Sequence, residues 1–481
     1  MNPGLLSLEL AVIGLALAVL LMDLWTPPRF KHRLGYVAAA GLLLILAASF
    51  AAPVAGGLPA VGCNGMFVQD GLALFFKRIF LAAAFFVVLM TVEFRDRIAA
   101  GIGEFYAIVL LALAGMMFAA SANDFVMVYV ALELMAVSFY VLVSFQRSRP
   151  DSLEAGVKYL ILSGVSAAVL VFGIALVFGV AGGANFTALS AAGPRLAQNK
   201  VFLLGALLVL LGLAFKIAAV PMQMWAPDVY QGAPTPVTAF LAIGSKAAGF
   251  ALVLRVLFVA VPMLSVHWTK LLAWGAALTI LYGNLCAIPQ RSLKRLLGYS
   301  SIANAGYMLL GVAALNAPGS AAVLYYLAGY AFTLAAAFVV LCLVARESDD
   351  IAVLAGLNRR SPLLALSLAL AMVSLAGVPP LAGFLGKLLL LKAVLQQAMF
   401  NGAYLWLALV AVAGVVISLY YYFGVIRAIY WPKETPDLTP IPVSVPMRIS
   451  LAVCIAAMFY LGIFPQSVLT AATQAVRALK F

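Results

Sequence analysis

Apolar positions in this chain do not recur at the spacing of an amphipathic helix or strand. They run on for about twenty residues at a time, divided by short polar or proline-rich breaks. Such runs predict helices that cross a bilayer. They fall at about 5–24, 34–55, 70–92, 104–120, 123–145, 155–180, 200–222, 236–260, 267–288, 296–316, 320–345, 361–399, 401–429 and 447–471, about fourteen spans in all. A transmembrane barrel would show short alternating segments instead. The first run lacks the basic leader and small-residue cleavage site of a signal peptide, so it is expected to stay as the first helix.

Two of these runs are interrupted. In LAFKIAAVPMQMWAPDVYQGAPTPVTAFLAIGSKAAGF, Pro221 must kink or unwind the helix just after Lys216, because it has no backbone donor and clashes with the preceding turn. In SLAGVPPLAGFLGKLLLLKAV, Gly377, Pro379, Pro380 and Gly383 break the helix and Lys387 follows. Broken backbone at membrane depth is tolerated only against protein or beside a wet cavity. The breaks lie in the seventh and twelfth spans. Five spans is an odd number, so these two helices cross in opposite directions, as an inverted repeat requires. The expected fold class is therefore an all-α polytopic membrane protein with two inverted five-helix repeats and discontinuous helices 7 and 12. Repeat one (104–260) holds helices 4–8 and repeat two (267–429) holds helices 9–13. Helices 1–3 (1–100) and helix 14 (447–471) are additions to a single integral membrane domain, 1–481.

Composition agrees: 66% of residues are hydrophobic, 9% are charged, and the mean hydropathy is +1.13, which no soluble domain matches. A net charge of +13 raises the question of nucleic acid. The basic residues answer it by their place. Arg29, Lys31, Arg33, Arg95, Arg97, Arg147, Arg149, Arg291, Lys294, Arg295, Arg346, Arg359, Arg360, Arg427, Lys433 and Arg448 fall in loops on one side. Arg195, Lys200, Lys270, Arg477 and Lys480 fall on the other. That bias marks the first side as inward and puts both termini outward, so the charge serves the lipid bilayer and not nucleic acid. Lys77 and Arg78 are expected to snorkel to the headgroups, and Glu9, Lys392 and Arg255 to lie near the outer interface.

Cys63, Cys286, Cys342 and Cys454 are scattered, without metal-ligand or disulfide-framework spacing. His32 and His267 read as loop residues, which speaks against a haem between helices. No phosphate- or dinucleotide-binding glycine pattern occurs. No cofactor or metal site is expected in this chain.

The candidate chemistry is a set of charges in apolar runs, where a lysine costs about 2.5–3.5 kcal/mol on insertion scales. Glu133 is the acid nearest the middle of a span, and Lys216 is its natural counter-ion. The pair reads either as a salt bridge fixing two helices or as a control on the proton of Lys216. Lys246 lies ten residues into its helix, about 15 Å deep and near the midplane. No acid shares its helix, and small Gly244, Ser245 and Gly249 leave room for water. Lys387 has only leucines beside it. A lysine, unlike an arginine, can give up its proton inside a protein. Lys158 is weaker, since it lies near a helix end and can snorkel. Ser300, Asn304 and Tyr307 share one helix face, suited either to a hydrated path or to interhelical hydrogen bonds.

The two broken-helix segments and LKRLLGYSSIANAGYMLLG together resemble the antiporter-like membrane subunits of respiratory complex I, the proton-translocating NADH–quinone oxidoreductase, over about residues 70–430. The resemblance implies a translocase subunit of a bacterial inner membrane, with a proton path through Glu133, Lys216, Lys246 and Lys387 and with Lys158, Ser300, Asn304 and Tyr307 as secondary members. It implies partners among the other membrane-arm and peripheral-arm subunits of complex I, which would hold NADH, FMN, iron–sulfur clusters and quinone. One position departs from the family: Asn304 stands where many relatives have a histidine. Asparagine can hold water but cannot take up a proton at neutral pH. Two other readings share the same residues, a subunit of a multi-subunit cation/proton antiporter and a non-transporting spacer between other membrane subunits.

Overall fold

The computed structural model describes residues 3–52, 60–98, 101–345, 348–431 and 438–479. The Gly/Pro-rich turn after the second helix, with Arg346, Lys433 and Lys480, lies outside the described residues. Helices α1 (Ser7–Trp25), α2 (Arg33–Ala51) and α3 (Gly71–Phe94) come first. A small antiparallel hairpin precedes α3, with β1 (Ala60–Gly62) paired to β2 (Phe67–Gln69) in the register Val61 to Val68. Then follow α4 (Ile102–Ala120), α5 (Phe125–Val143), α6 (Pro150–Ala181) and α7 (Lys200–Ile217). Short α8 (Trp225–Gly232) leads into α9 (Thr235–Ala260). The second half comprises α10 (Ser265–Ala287), α11 (Leu293–Ala313), α12 (Ala317–Val344), α13 (Pro362–Ala376), α14 (Ala382–Phe400) and α15 (Leu405–Tyr430). Helices α16 (Val445–Ile463) and α17 (Gln466–Ala475) close the chain.

Among the described residues, 13 helices are long and apolar enough to cross a membrane. The remaining expected span, 361–399, is the pair α13–α14, divided at its glycines and prolines. Apolar on every side, these helices have no solvent face to orient them. Their ends are set by polar residues instead. Asp70, Asp124, Asn199, Ser292 and Asn316 each accept a backbone N–H in the first turn of α3, α5, α7, α11 and α12. Helices α9, α11 and α12 are enclosed almost completely and form the centre, whereas α1 and α6 present most of their surface outward. Glycine lets two of the inner helices meet: a Cβ on Gly283 of α10 would collide with the backbone of Ala303 in α11.

Several charges do not lie where the sequence reading put them. Glu9 is not interfacial. It is fully buried and pairs at 2.7 Å with Lys77, which does not snorkel but is equally enclosed. Arg255 is also interior, with Nη2 2.8 Å from Asp70 Oδ1 and Nε donating to Ala120 O. Lys294 is not a loop cation, since it is buried and donates to Ala233 O at 2.8 Å. His267 sits in the first turn of α10. For Glu9, Lys77 and Arg255 the reason is common: at membrane depth a charge within reach of a partner does better by pairing than by stretching to water, and losing one member of such a pair costs about 3–5 kcal/mol. Lys392 is exposed.

Candidate functional site

The two helix breaks frame the candidate site. The first lies between α7 and α8. Helix α7 stops because Ala218 turns left-handed (φ 56°), and the Val220–Pro221 peptide is cis. The polar groups freed there find partners. Trp225 Nε1 donates to Phe215 O at 2.9 Å, and Val220 N–H donates to Thr279 Oγ1 at 3.0 Å. Lys216, in the last turn of α7, is buried with Nζ 3.5 Å from Ser163 Oγ of α6. Glu133 of α5 is half-buried and makes no ion pair with Lys216.

The second break lies between α13 and α14. Helix α13 ends at Gly377 (φ 84°), a conformation that glycine adopts without penalty. Here the lysine comes after the break. Lys387 of α14 reaches back to donate to Leu375 O at 2.6 Å and Ala376 O at 3.4 Å, two of the carbonyls left open at the end of α13. Its ammonium also lies 4.7 Å from the centre of the Tyr307 ring. Thr333 Oγ1 and Gly383 N–H converge on Ser374 Oγ at 3.0 and 3.3 Å and complete the turn.

Between the breaks runs a chain of buried polar groups. Helix α9 turns π-helical over Leu241–Ser245, immediately before Lys246. Such local widening re-aims the residues after it. Lys246 Nζ donates to Ser301 O at 2.5 Å and contacts Ser301 Oγ, which lies 3.1 Å from Tyr230 Oη. One residue earlier on α11, Ser300 Oγ meets Tyr422 Oη of α15 at 2.5 Å. Asn304 Nδ2 donates to Ser300 O at 2.9 Å, while Asn304 Oδ1 accepts from Tyr326 Oη at 2.7 Å. A turn further on, Tyr307 Oη is 3.5 Å from Asn284 Nδ2, and Tyr421 Oη donates to Asn284 Oδ1 at 2.9 Å. Lys387 then lies against Tyr307. A cavity of about 180 Å3 adjoins both residues, its other walls mostly apolar.

Lys158 belongs to a separate cluster, with Nζ 2.7 Å from Glu154 and 3.0 Å from Asp228. Asp228 also holds Arg295 at 2.5 Å, and these groups line a polar cavity of about 190 Å3. The structure thus sets Lys246, through Ser301, and Lys387, through Tyr307, against the same helix α11 that carries Ser300 and Asn304, while Glu133, Lys158 and Lys216 lie apart from this line. Ser301, Tyr422, Tyr326 and Asn284 were missed from the sequence. The signal was present, since each is polar within an apolar span, but nothing in a run such as Tyr420–Tyr421–Tyr422 tells which ring points inward.

Chemically, the line offers amines, hydroxyls and amides in series, with no carboxylate in contact with Lys246 or Lys387 among the described residues. Hydroxyls can both donate and accept, so they can pass a proton along.

Residues 122–418 match the family model described as NADH:quinone oxidoreductase/Mrp antiporter, TM. NADH-quinone oxidoreductase subunit N of Moorella thermoacetica is 40% identical over 466 residues, 96% of each chain. A chain of respiratory complex I from Thermus thermophilus with bound Aureothin superposes with a TM-score of 0.82 at 33% identity, covering 97% of this chain and 99% of that one. A chain of the Mrp complex from Dietzia sp. DQ12-45-1b gives a TM-score of 0.86 at 22% identity, covering 100% of this chain and 98% of that one, a likeness of fold alone.

Proposed function

The chain belongs to the subunit N family of the antiporter-like membrane subunits of NADH–quinone oxidoreductase, and from that premise we propose that it carries protons across a bacterial inner membrane along its buried lysine line. The observation that supports this reading is the set of buried contacts along the enclosed helix α11: Lys246 with Ser301, Ser300 with Tyr422 and Asn304, and Lys387 with Tyr307. A proton enters from the side of the basic loops, by way of the cavity at Asp228 and Lys158, and loads Lys246. It passes the serine–tyrosine cluster with water standing in at Asn304, and leaves outward from Lys387. Glu133 is the switch: its distance from Lys216 sets how strongly that lysine holds its proton. Each of the two inverted repeats, 104–260 and 267–429, contributes one broken helix; Lys246 comes from the first, and Ser300, Ser301, Asn304, Tyr307, Lys387 and Tyr422 come from the second. Redox energy arrives from membrane-arm and peripheral-arm partner subunits, where NADH, FMN, iron–sulfur clusters and quinone reside. Both termini face outward in this reading, which the excess of basic residues in alternate loops supports.

The deciding variant is Lys246→Arg in the assembled complex, because arginine keeps the charge and cannot release its proton. Proton translocation should fall severely while NADH oxidation by an artificial acceptor continues. Normal pumping would make Lys246 a fixed charge and end the relay. The fold shared with the Mrp chain keeps a cation/proton antiporter as the second reading. Flavin and iron–sulfur chains co-purifying with this one favour the first.

A further inference from the structure

On the face where α3 begins, α17 folds back against α3 and leaves a cavity of about 450 Å3 lined by Asp70, Leu74, Phe75, Arg78, Gln474 and Arg477. None of these groups belongs to the lysine line. Arg78 lies seven residues past Gly71, about 10 Å along α3 from its start. Its Nη2 donates to Ser49 O at 2.9 Å at the end of α2, and its guanidinium stacks 4.2 Å from the centre of the Phe50 ring. Phe50 itself is 67% exposed on the lipid-facing side. Arg78 Nε is buried and has no hydrogen-bond partner among the described residues. Arg477, exposed at the cavity rim, supplies a second fork of donors. The one acid in the wall is already matched. Asp70 Oδ1 accepts from Arg255 Nη2 and from Ala73 N–H, both at 2.8 Å, and Oδ2 accepts from Arg255 Nη1 at 3.1 Å. The cavity therefore has a net positive lining, with an apolar wall of Leu74, Phe75 and Ala471 beside it.

We propose that this cavity binds an anionic phospholipid of the phosphatidylglycerol or cardiolipin type. Its phosphate lies between Arg78 and Arg477, and its acyl chains run along Phe75 and Phe50. Arginine forks fit phosphate oxygens in paired hydrogen bonds, and basic pockets between membrane helices suit such headgroups. A free phosphate would use the same donors but leave the apolar wall uncovered.

The test uses the intact purified complex, stripped of loosely held lipid and given a photoactivatable phosphatidylglycerol. Cross-links should map to peptides covering 71–78 and 471–478. In Arg78→Gln/Arg477→Gln the labelling should drop at least about tenfold, and in Arg477→Gln alone at least about threefold. The single change alters only an exposed side chain, so it remains readable if the double variant assembles poorly. Unlabelled phosphatidylglycerol or cardiolipin should compete, and phosphatidylcholine and inorganic phosphate should not. Unchanged labelling in Arg477→Gln overturns the proposal. So does equal competition by phosphatidylcholine, which would leave only an apolar groove, or by inorganic phosphate, which would leave only a small-anion site.

Discussion

The two broken helices solve one problem in opposite ways. At the first break the lysine precedes the interruption, and other groups, the Trp225 indole and the Thr279 hydroxyl, satisfy the freed backbone. Lys216 is left with a long contact to Ser163 and an acid at a distance. At the second break the lysine follows the interruption and is itself the cap, donating to Leu375 O and Ala376 O. A cation at a helix C-terminus gains from the dipole as well as from the hydrogen bonds. The difference teaches that the backbone at the first break does not depend on Lys216, whereas Lys387 cannot move without uncapping α13. The first lysine is lightly held and the second is tied to the backbone that it caps.

The comparison can be broken most decisively at Lys387. Lys387→Met should abolish pumping and also weaken assembly, since two buried carbonyls lose their donor at about 1–3 kcal/mol each. Lys387→Arg should assemble but not pump. Thermal stability of the purified complex and proton uptake by reconstituted vesicles would separate these outcomes. A Lys387→Met complex as stable as wild type would show that the ammonium caps nothing.

Gly377→Ala comes next. A side chain there takes a left-handed backbone at about 1–2 kcal/mol, and its Cβ would lie 3.0 Å from Lys387 Cδ. Pumping should fall several-fold, with redox chemistry at the artificial acceptor intact. Unchanged pumping would mean that the position of Lys387 tolerates being pushed.

At the first break a smaller, purely electrostatic effect is expected. Glu133→Asp should retain most pumping and Glu133→Gln should lose part of it, both in fully assembled complexes, because no direct contact is removed. Glu133→Gln/Lys216→Met should also assemble but not regain pumping. Full pumping in the double variant would reduce the pair to architecture.

The smallest effect is expected at Ala218, which pays the left-handed penalty that Gly377 avoids. Ala218→Gly should stabilise by up to about 1 kcal/mol and leave pumping unchanged. A large loss of pumping would show that the rigidity of the first turn matters to the switch.

Much of this was legible before any coordinates. Uninterrupted apolar runs mark membrane helices because the bilayer accepts little else, and Pro221 and Gly377 mark breaks because backbone sterics leave no alternative. Lys246 and Lys387 stood out because an ammonium in an apolar run needs a reason. The reading failed where a charge lay within a few turns of a helix end, as with Glu9, Lys77, Arg255 and Lys294. From sequence each could stretch to water, and nothing along the chain shows that a partner is nearer.

What the chain determined by itself is local: which segments cross, where they break, and which polar groups enter the interior. Which group meets which was decided only by packing. Arg255 finds Asp70 across 185 residues, and Ser300 finds Tyr422 across 122. Inside a membrane every buried polar group must be satisfied by another helix, and helices apolar on all sides carry no stripe that says which neighbour it will be. Only the folded bundle brings those partners within hydrogen-bonding reach.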